Sequence, residues 1–425
     1  MMRVGRITLV LLALLLLPAV TFAQKDTRQT REASKYIGLA MTKPDSAGRA
    51  EMYRQAMDYL RQGMTEDAQN AKVWLLAGSA LAALGEMVQA DSAFDRAVEL
   101  HPEYAQEVEG ERESAWIQAF NRGIQLMDEQ RYPEAIAALE GAQAIYTQRP
   151  EALMNLGALY SNAGDNAKAV QALTDAITAT NGPLFEQLDA EQQAEWVRFR
   201  TLAKANIAQI QAQEGVEYFQ SESFDSAAAR FLEATETNPH ARDYWFNYGQ
   251  SLWALATPLE TQLDSVAKTA ADSTRLMTQL RELYGKIQQT AQKSREFDPN
   301  NEVLYLMEAR THRMSGQLDP AQRESGQAAA LRLLEAHEAL TVALDQIAVV
   351  PAAEGAVKIS GTLKNLKAAE GTPVTIRFTL LGIDGSEVGQ QDVSVNAPAA
   401  EQSAQFETQA TVTGEVAGWK YTIAG

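Results

Sequence analysis

Small residues return along this chain on a fixed ladder. Trp74, Gly78, Leu81, Gly85, Ala90, Phe94, Ala97 and Pro102 stand at intervals that read as two short helices folded against each other. The ladder recurs at Gly123, Leu126, Tyr132, Ala135, Leu139 and Ala142, and again at Leu156, Gly157, Tyr160, Gly164, Ala169, Leu173 and Ala176. A further copy holds Gly215, Tyr218, Phe224, Ala227, Phe231, Ala234 and Pro239. Gly123 to Gly157 and Ala135 to Ala169 are both steps of 34 residues. The Gly and Ala positions are expected where the two helices approach most closely, because a larger side chain would push the backbones apart. The aromatic or aliphatic residue and the Ala three positions later share one face of the second helix, placed to pack on the next copy, and Pro stops that helix. One copy leaves an apolar face in water, so several must stack.

The well-spaced copies cover 71–104, 116–149, 150–183 and 208–241. Before them, residues 34–63 read as a degenerate first copy that caps the array. A sixth begins at Trp245, Gly249 and Leu252, with its second helix displaced to Arg275–Phe297 by an insertion near 257–273 that reads as a loop or frayed helix. A seventh carries Tyr305, Ala309, Gly316, Ala321 and Ala328. Residues 107–114 and 189–211 lack breakers and should lengthen the helices they precede, with Asp189 as an N-cap and Glu191 in the first turn. The ladder resembles the tetratricopeptide repeat, whose period is about 34 residues. That resemblance implies a mainly α fold, an α-solenoid superhelix of about seven helix pairs over 34–347, sharing one apolar spine.

The two ends differ from this middle. Arg3 and Arg6, the apolar run Ile7–Val20 and Thr21-Phe22-Ala23 form a secretory signal pattern over residues 1–23, with cleavage expected after Ala23. The run is shorter than the roughly 20 residues that span a bilayer, so no integral span is expected after cleavage. Residues 24–33 read as a flexible leader. The chain has no cysteine, which excludes a lipidated N-terminal cysteine and a disulfide framework, and export without cysteine fits the periplasm or outer envelope surface of a bacterium. A net charge of -18 disfavours nucleic acid and anionic lipid as partners.

From about Ile347 the period changes to two. Val374, Ile376, Phe378 and Leu380 alternate with polar neighbours, as do Val393 and Val395, while Thr408, Ala410 and Val412 and then Trp419, Tyr421 and Ile423 continue the pattern. Turn signals lie at Glu370–Pro373, Asp384-Gly385-Ser386 and Asn396-Ala397-Pro398. Residues 348–425 therefore read as a small all-β sandwich. Ile359-Ser360-Gly361 through Asn365, Phe378–Leu380 with Asp384-Gly385, the Phe406 strand and Trp419-Lys420-Tyr421 resemble the FxLYD type of immunoglobulin-like domain, although Leu381 and Gly382 follow Leu380 where that motif has Tyr and Asp.

No catalytic constellation emerges. The four histidines, His101, His240, His312 and His337, form no His-Glu-x-x-His pair, and His101 and His240 flank Pro102 and Pro239 at turns where solvent exposure is expected. Gly78-Ser79 is not followed by a nucleophile elbow, and no phosphate loop is present. The expectation is a protein without enzymatic activity or cofactor. In the repeat family, positions 5, 9 and 12 of each first helix commonly line a concave groove. Transferred onto this sequence, the resemblance implies a partner-binding groove of Phe120, Ile124, Met127, Met154, Val216, Phe219, Phe246, Gln250, Trp253, Leu306, Arg310 and Arg313, apolar along its centre and basic at one end. The expected function is an exported scaffold that binds a peptide or partner protein there, with a second contact through the β domain. The alternative is a structural subunit of a cell-envelope complex whose groove is filled. Oligomeric state is not legible.

Overall fold

The computed structural model describes residues 26–265, 269–353 and 355–424. The expected signal segment, 1–23, lies outside the described residues. Two compact units divide the chain between Leu156 and Gly157.

The first unit holds α1 (Arg28–Met41), α2 (Ser46–Glu66), α3 (Ala71–Ala83), α4 (Met87–Leu100), α5 (Ala105–Asp128) and α6 (Tyr132–Ile145), and α7 (Glu151–Asn162) begins in it. Residues 24–33, expected to be a mobile leader, are helical from Arg28. Thr27 and Thr30 exchange side-chain and backbone hydrogen bonds in a capping box, and Ala33 and Ala40 are buried under α1. A polar composition hid this because the apolar contact is made by alanines. Between α3 and α4, a Cβ added to Gly78 would collide with the Phe94 ring. Between α5 and α6, a Cβ on Gly123 would stand 2.7 Å from Leu139. The large residue of each second helix thus packs on the glycine of its own repeat, rather than only on the next repeat as its face suggested.

The second unit continues with α8 (Asn166–Ala179), α9 (Ala190–Gln220), α10 (Phe224–Thr237), α11 (Arg242–Ser265), α12 (Ala270–Phe297), α13 (Glu302–Leu318) and α14 (Arg323–Ala339). The same contact returns at Gly157 with Leu173 at 2.7 Å and at Gly215 with Phe231 at 2.9 Å. In the displaced sixth pair Thr290 of α12 takes that place, 3.2 Å from a Cβ on Gly249. Asp189 caps α9 through the amide of Gln192, and both lengthened helices, α5 and α9, are present, at 24 and 31 residues. The insertion near 257–273 is largely helical: α11 runs through Pro258 to Ser265 and α12 starts at Ala270. Its Thr and Ser residues, which suggested a loop, return their hydroxyls to carbonyls one turn back, as Thr257 does to Trp253 at 3.1 Å and Thr261 to Thr257 at 3.2 Å.

The β module follows within the second unit: β1 (Val342–Ala353), β2 (Ala356–Asn365), β3 (Pro373–Leu381), β4 (Glu387–Asn396), β5 (Ser403–Thr411) and β6 (Gly418–Ala424). Its antiparallel sheets, β1-β2-β5 and β4-β3-β6, enclose a core that includes Leu344, Ile359, Leu363, Ile376, Phe378 and Phe406. The sheet begins five residues before the expected change of period. The bulge between Asp345 and Ala348, with Gln346 at φ 52°, and Pro351 interrupt the alternation of β1 and concealed it as a strand. The architecture is mainly α, tetratricopeptide-type helix pairs followed by a small all-β module.

Candidate binding surface

Each unit carries its own share of the twelve expected groove residues. In the first unit Phe120, Ile124, Met127 and Met154 are half-buried, and Phe120 stacks on Trp116 with ring centroids 4.9 Å apart. The Arg149 guanidinium lies 5.3 Å from the same indole. Phe120 is therefore held in an aromatic pair and does not stand alone.

In the second unit Val216, Phe246 and Trp253 lean on a core formed by Phe231, Leu252, Leu280, Tyr284, Ile287 and Leu304. Phe219 and Leu306 stay exposed at 36% and 46%, and Gln250 is half-buried. Arg310 lies with its guanidinium 4.5 Å from the Trp253 ring and donates to Glu260 at 3.3 Å. Glu260 also accepts 2.7 Å from the Tyr284 hydroxyl. Burial, with the Glu260 carboxylate beside it, raises the Tyr284 phenol far above its ordinary range. The structure brings Trp253 and Arg310 of the expected groove set together, and joins Glu260 and Tyr284 to them. Those two lie on the displaced pair, α11 and α12, where the repeat register gave no guide. Arg313 is exposed one turn beyond Arg310.

Phe246 has a different neighbour. The Arg242 guanidinium sits 5.3 Å from Phe246 and 5.8 Å from Trp419 of the β module, between the two rings. Arg242 pairs with the fully buried Asp298, which also accepts 2.6 Å from the Tyr421 hydroxyl on β6. The Asn300 backbone N–H donates to Tyr421 at 3.2 Å, its side chain donates to the Val342 carbonyl at 3.0 Å, and Asn238 donates to the Ala417 carbonyl at 2.7 Å. This polar joint fastens the β module to the ends of α10 and α12. A Cβ on Gly418 would collide with the His240 carbonyl, so only glycine lets β6 approach that turn. His240, expected in solvent, is half-buried against Gly385 and Gly418. Its pKa is lowered, first by burial and then by Lys293, with Asp384 opposing.

Beside the joint lies a cleft of about 820 Å³ between the extra turns of α9 and the β module, lined by Val197, Thr201, Tyr244, Val349, Val357 and Val412 among others. Arg198 and Glu415 close an exposed ion pair across it at 3.1 Å. Sequence gave no sign of this cleft beyond the length of α9. Among the described residues, no group of three or more His, Cys, Asp or Glu side chains is placed to hold a metal ion, and no helix is long and apolar enough to cross a membrane.

A comparison with curated proteins returned no match. Among solved structures, the tetratricopeptide domain of P58(IPK) is 15% identical and covers 72% of this chain and 94% of its own, at a TM-score of 0.25. YrrB, described as having an unusual peptide-binding site, is 16% identical over 53% of this chain and 91% of its own, at a TM-score of 0.19. The yeast Sti1 TPR2AB domain, solved in complex with pHSP90, is 15% identical over 63% of this chain and 97% of its own, at a TM-score of 0.19. Family models of the tetratricopeptide repeat match residues 71–104, 120–183 and 213–256. Over those stretches the chain is built of tetratricopeptide repeats, a module that generally mediates contacts with proteins or peptides.

Proposed function

We propose that this chain is an exported, non-enzymatic scaffold that holds a peptide or partner protein on the inner positions of its first helices. The observation that carries this reading is the exposure of Phe219 and Leu306 in the unit where Trp253 and Arg310 pack together. Large apolar side chains left in water offer surface that a partner gains by covering. Because α11 and α13 are already packed, such a surface binds without first being ordered.

Export to the periplasm or outer envelope surface rests on the basic start, apolar run and small-residue exit of residues 1–23, and on the absence of cysteine. The β module, of immunoglobulin-like FxLYD type in this reading, supplies a second contact. The alternating strands and the Asp384-Gly385 turn, where Gly385 has φ 81°, support that assignment. The acidic net charge argues against nucleic acid as the partner.

One observation favours a second reading, a structural subunit of an envelope complex. Ile117 and Val197, on the lengthened α5 and α9, are 42% and 47% exposed although neither is an inner position. A photo-cross-linking residue placed singly at Phe219, Leu306, Ile117 or Val197 separates the two in an envelope extract. Adducts from Phe219 and Leu306 support the scaffold. Adducts confined to Ile117 and Val197 support the structural subunit.

A further inference from the structure

The exposed face of α13 changes character along one line. Leu306, Arg310 and Arg313 succeed one another at one-turn spacing, so an apolar group is followed by two guanidinium groups in a chain of net charge -18. Arg310 is held by Trp253 and Glu260, yet its side chain is 50% exposed. Arg313 is exposed and has no hydrogen bond or ion pair among the described residues. On the neighbouring α11, the half-buried Gln250 likewise has none.

Resting on the groove reading above, we infer that α11 and α13 bind an extended peptide in which an aspartate or glutamate lies three residues from a large aliphatic side chain. Charge sets the first part: two adjacent guanidinium groups with spare N–H donors match a carboxylate, and a basic patch on an acidic chain acts only within about 8–10 Å. Geometry sets the spacing. Leu306 and Arg313 are seven residues apart on one helix face, about 10.5 Å at the helical rise. A peptide extended in the polyproline II conformation, with three residues per turn and a rise of about 3.1 Å each, returns its side chains to one face every three residues, about 9 Å apart. Gln250 sets the conformation, since a free side-chain amide pairs with the open N–H and C=O groups of an extended backbone, whereas a helix satisfies its own.

The test uses the whole exported chain and fluorescent octapeptides with one leucine and one glutamate in a Ser/Gly background, at separations of one to six residues, each also made with glutamine and with a photoreactive tag. The expected result is tightest binding at a separation of three and about tenfold weaker binding for the glutamine form. Arg313→Glu, an exposed change, should remove that preference for glutamate and leave the unfolding midpoint unaltered. Cross-links to α11 or α13 with no dependence on the carboxylate or on the spacing would overturn the inference and leave the groove reading standing. Cross-links only elsewhere, or none from any peptide, would overturn both.

Discussion

The Tyr421 hydroxyl on the last strand donates a 2.6 Å hydrogen bond to the Asp298 carboxylate at the end of α12, across 123 positions of sequence. Asp298 is fully buried, and its charge is balanced by Arg242 at the start of α11. A carboxylate in that position is tolerable only while its partners, Arg242, Tyr421 and the Asn301 side chain that donates at 2.9 Å, are in place, because an uncompensated buried charge costs several kcal/mol. The last helix pairs and the β module are therefore coupled in stability.

Removing the phenol hydroxyl tests that coupling. Tyr421→Phe should destabilise the protein by about 2 kcal/mol, the value of a hydrogen bond to a charged group. Asp298→Ala, which leaves the largely buried Arg242 only its pair with Asp243, should cost about 3–5 kcal/mol. Urea unfolding followed by helical circular dichroism measures both, and the loss should appear in the helical signal although Tyr421 is a strand residue.

High pH should act in the same direction. Tyr421 is raised by burial and by Asp298, and Tyr146 in the first unit is pushed up to about 12 by burial and then by Glu109. These phenols stay neutral in the fold while the unfolded chain ionises near 10, so their contribution is complete below pH 10 and is lost as pH rises through the folded values. Tyr146→Phe should flatten the decline between about pH 10 and 12 in alkaline unfolding curves.

Mild acid reports on the turn that touches the β module. The depressed pKa of His240, caused by burial and then Lys293, means that unfolding takes up a proton below 6.5. Stability should fall as pH drops through that value, and His240→Gln should remove this part of the slope. The comparison is of urea midpoints for the two proteins at about pH 7.5 and about pH 5.5.

Close packing at the repeat glycines gives a fourth outcome. Gly157→Ala brings a methyl group to 2.7 Å from Leu173 and should cost about 1–3 kcal/mol from overpacking. Leu173→Val made with it should cost less than the two changes summed, which a double-mutant cycle reads directly.

The helix pairs were legible because their signal is local and repeated: Gly123 and Leu139 need each other at a fixed separation, and the same need recurs at Gly157 and Leu173. Strands β3 and β6 were legible from alternation. The joint between them and the helices was not. Asp298 precedes Pro299 and reads as a helix stop, Tyr421 reads as one more inward strand residue, and no periodicity links positions so far apart. The first turn of α1 was missed for another reason, since its cap is made by two threonines within a polar stretch. At the candidate surface, Trp253 and Arg310 were readable from repeat positions, but Glu260 and Tyr284 lie where the insertion breaks the register.

Partner binding on the exposed inner positions is the central claim, and the double variant Phe219→Ala with Leu306→Ala tests it most directly. Both side chains are more than a third exposed, so the unfolding midpoint in urea should change by no more than about 1 kcal/mol in stability terms. Captured partner or leucine–glutamate peptide, measured on the same preparation, should weaken at least about tenfold, as loss of two apolar anchors requires. Unaltered binding by the folded double variant would contradict the account.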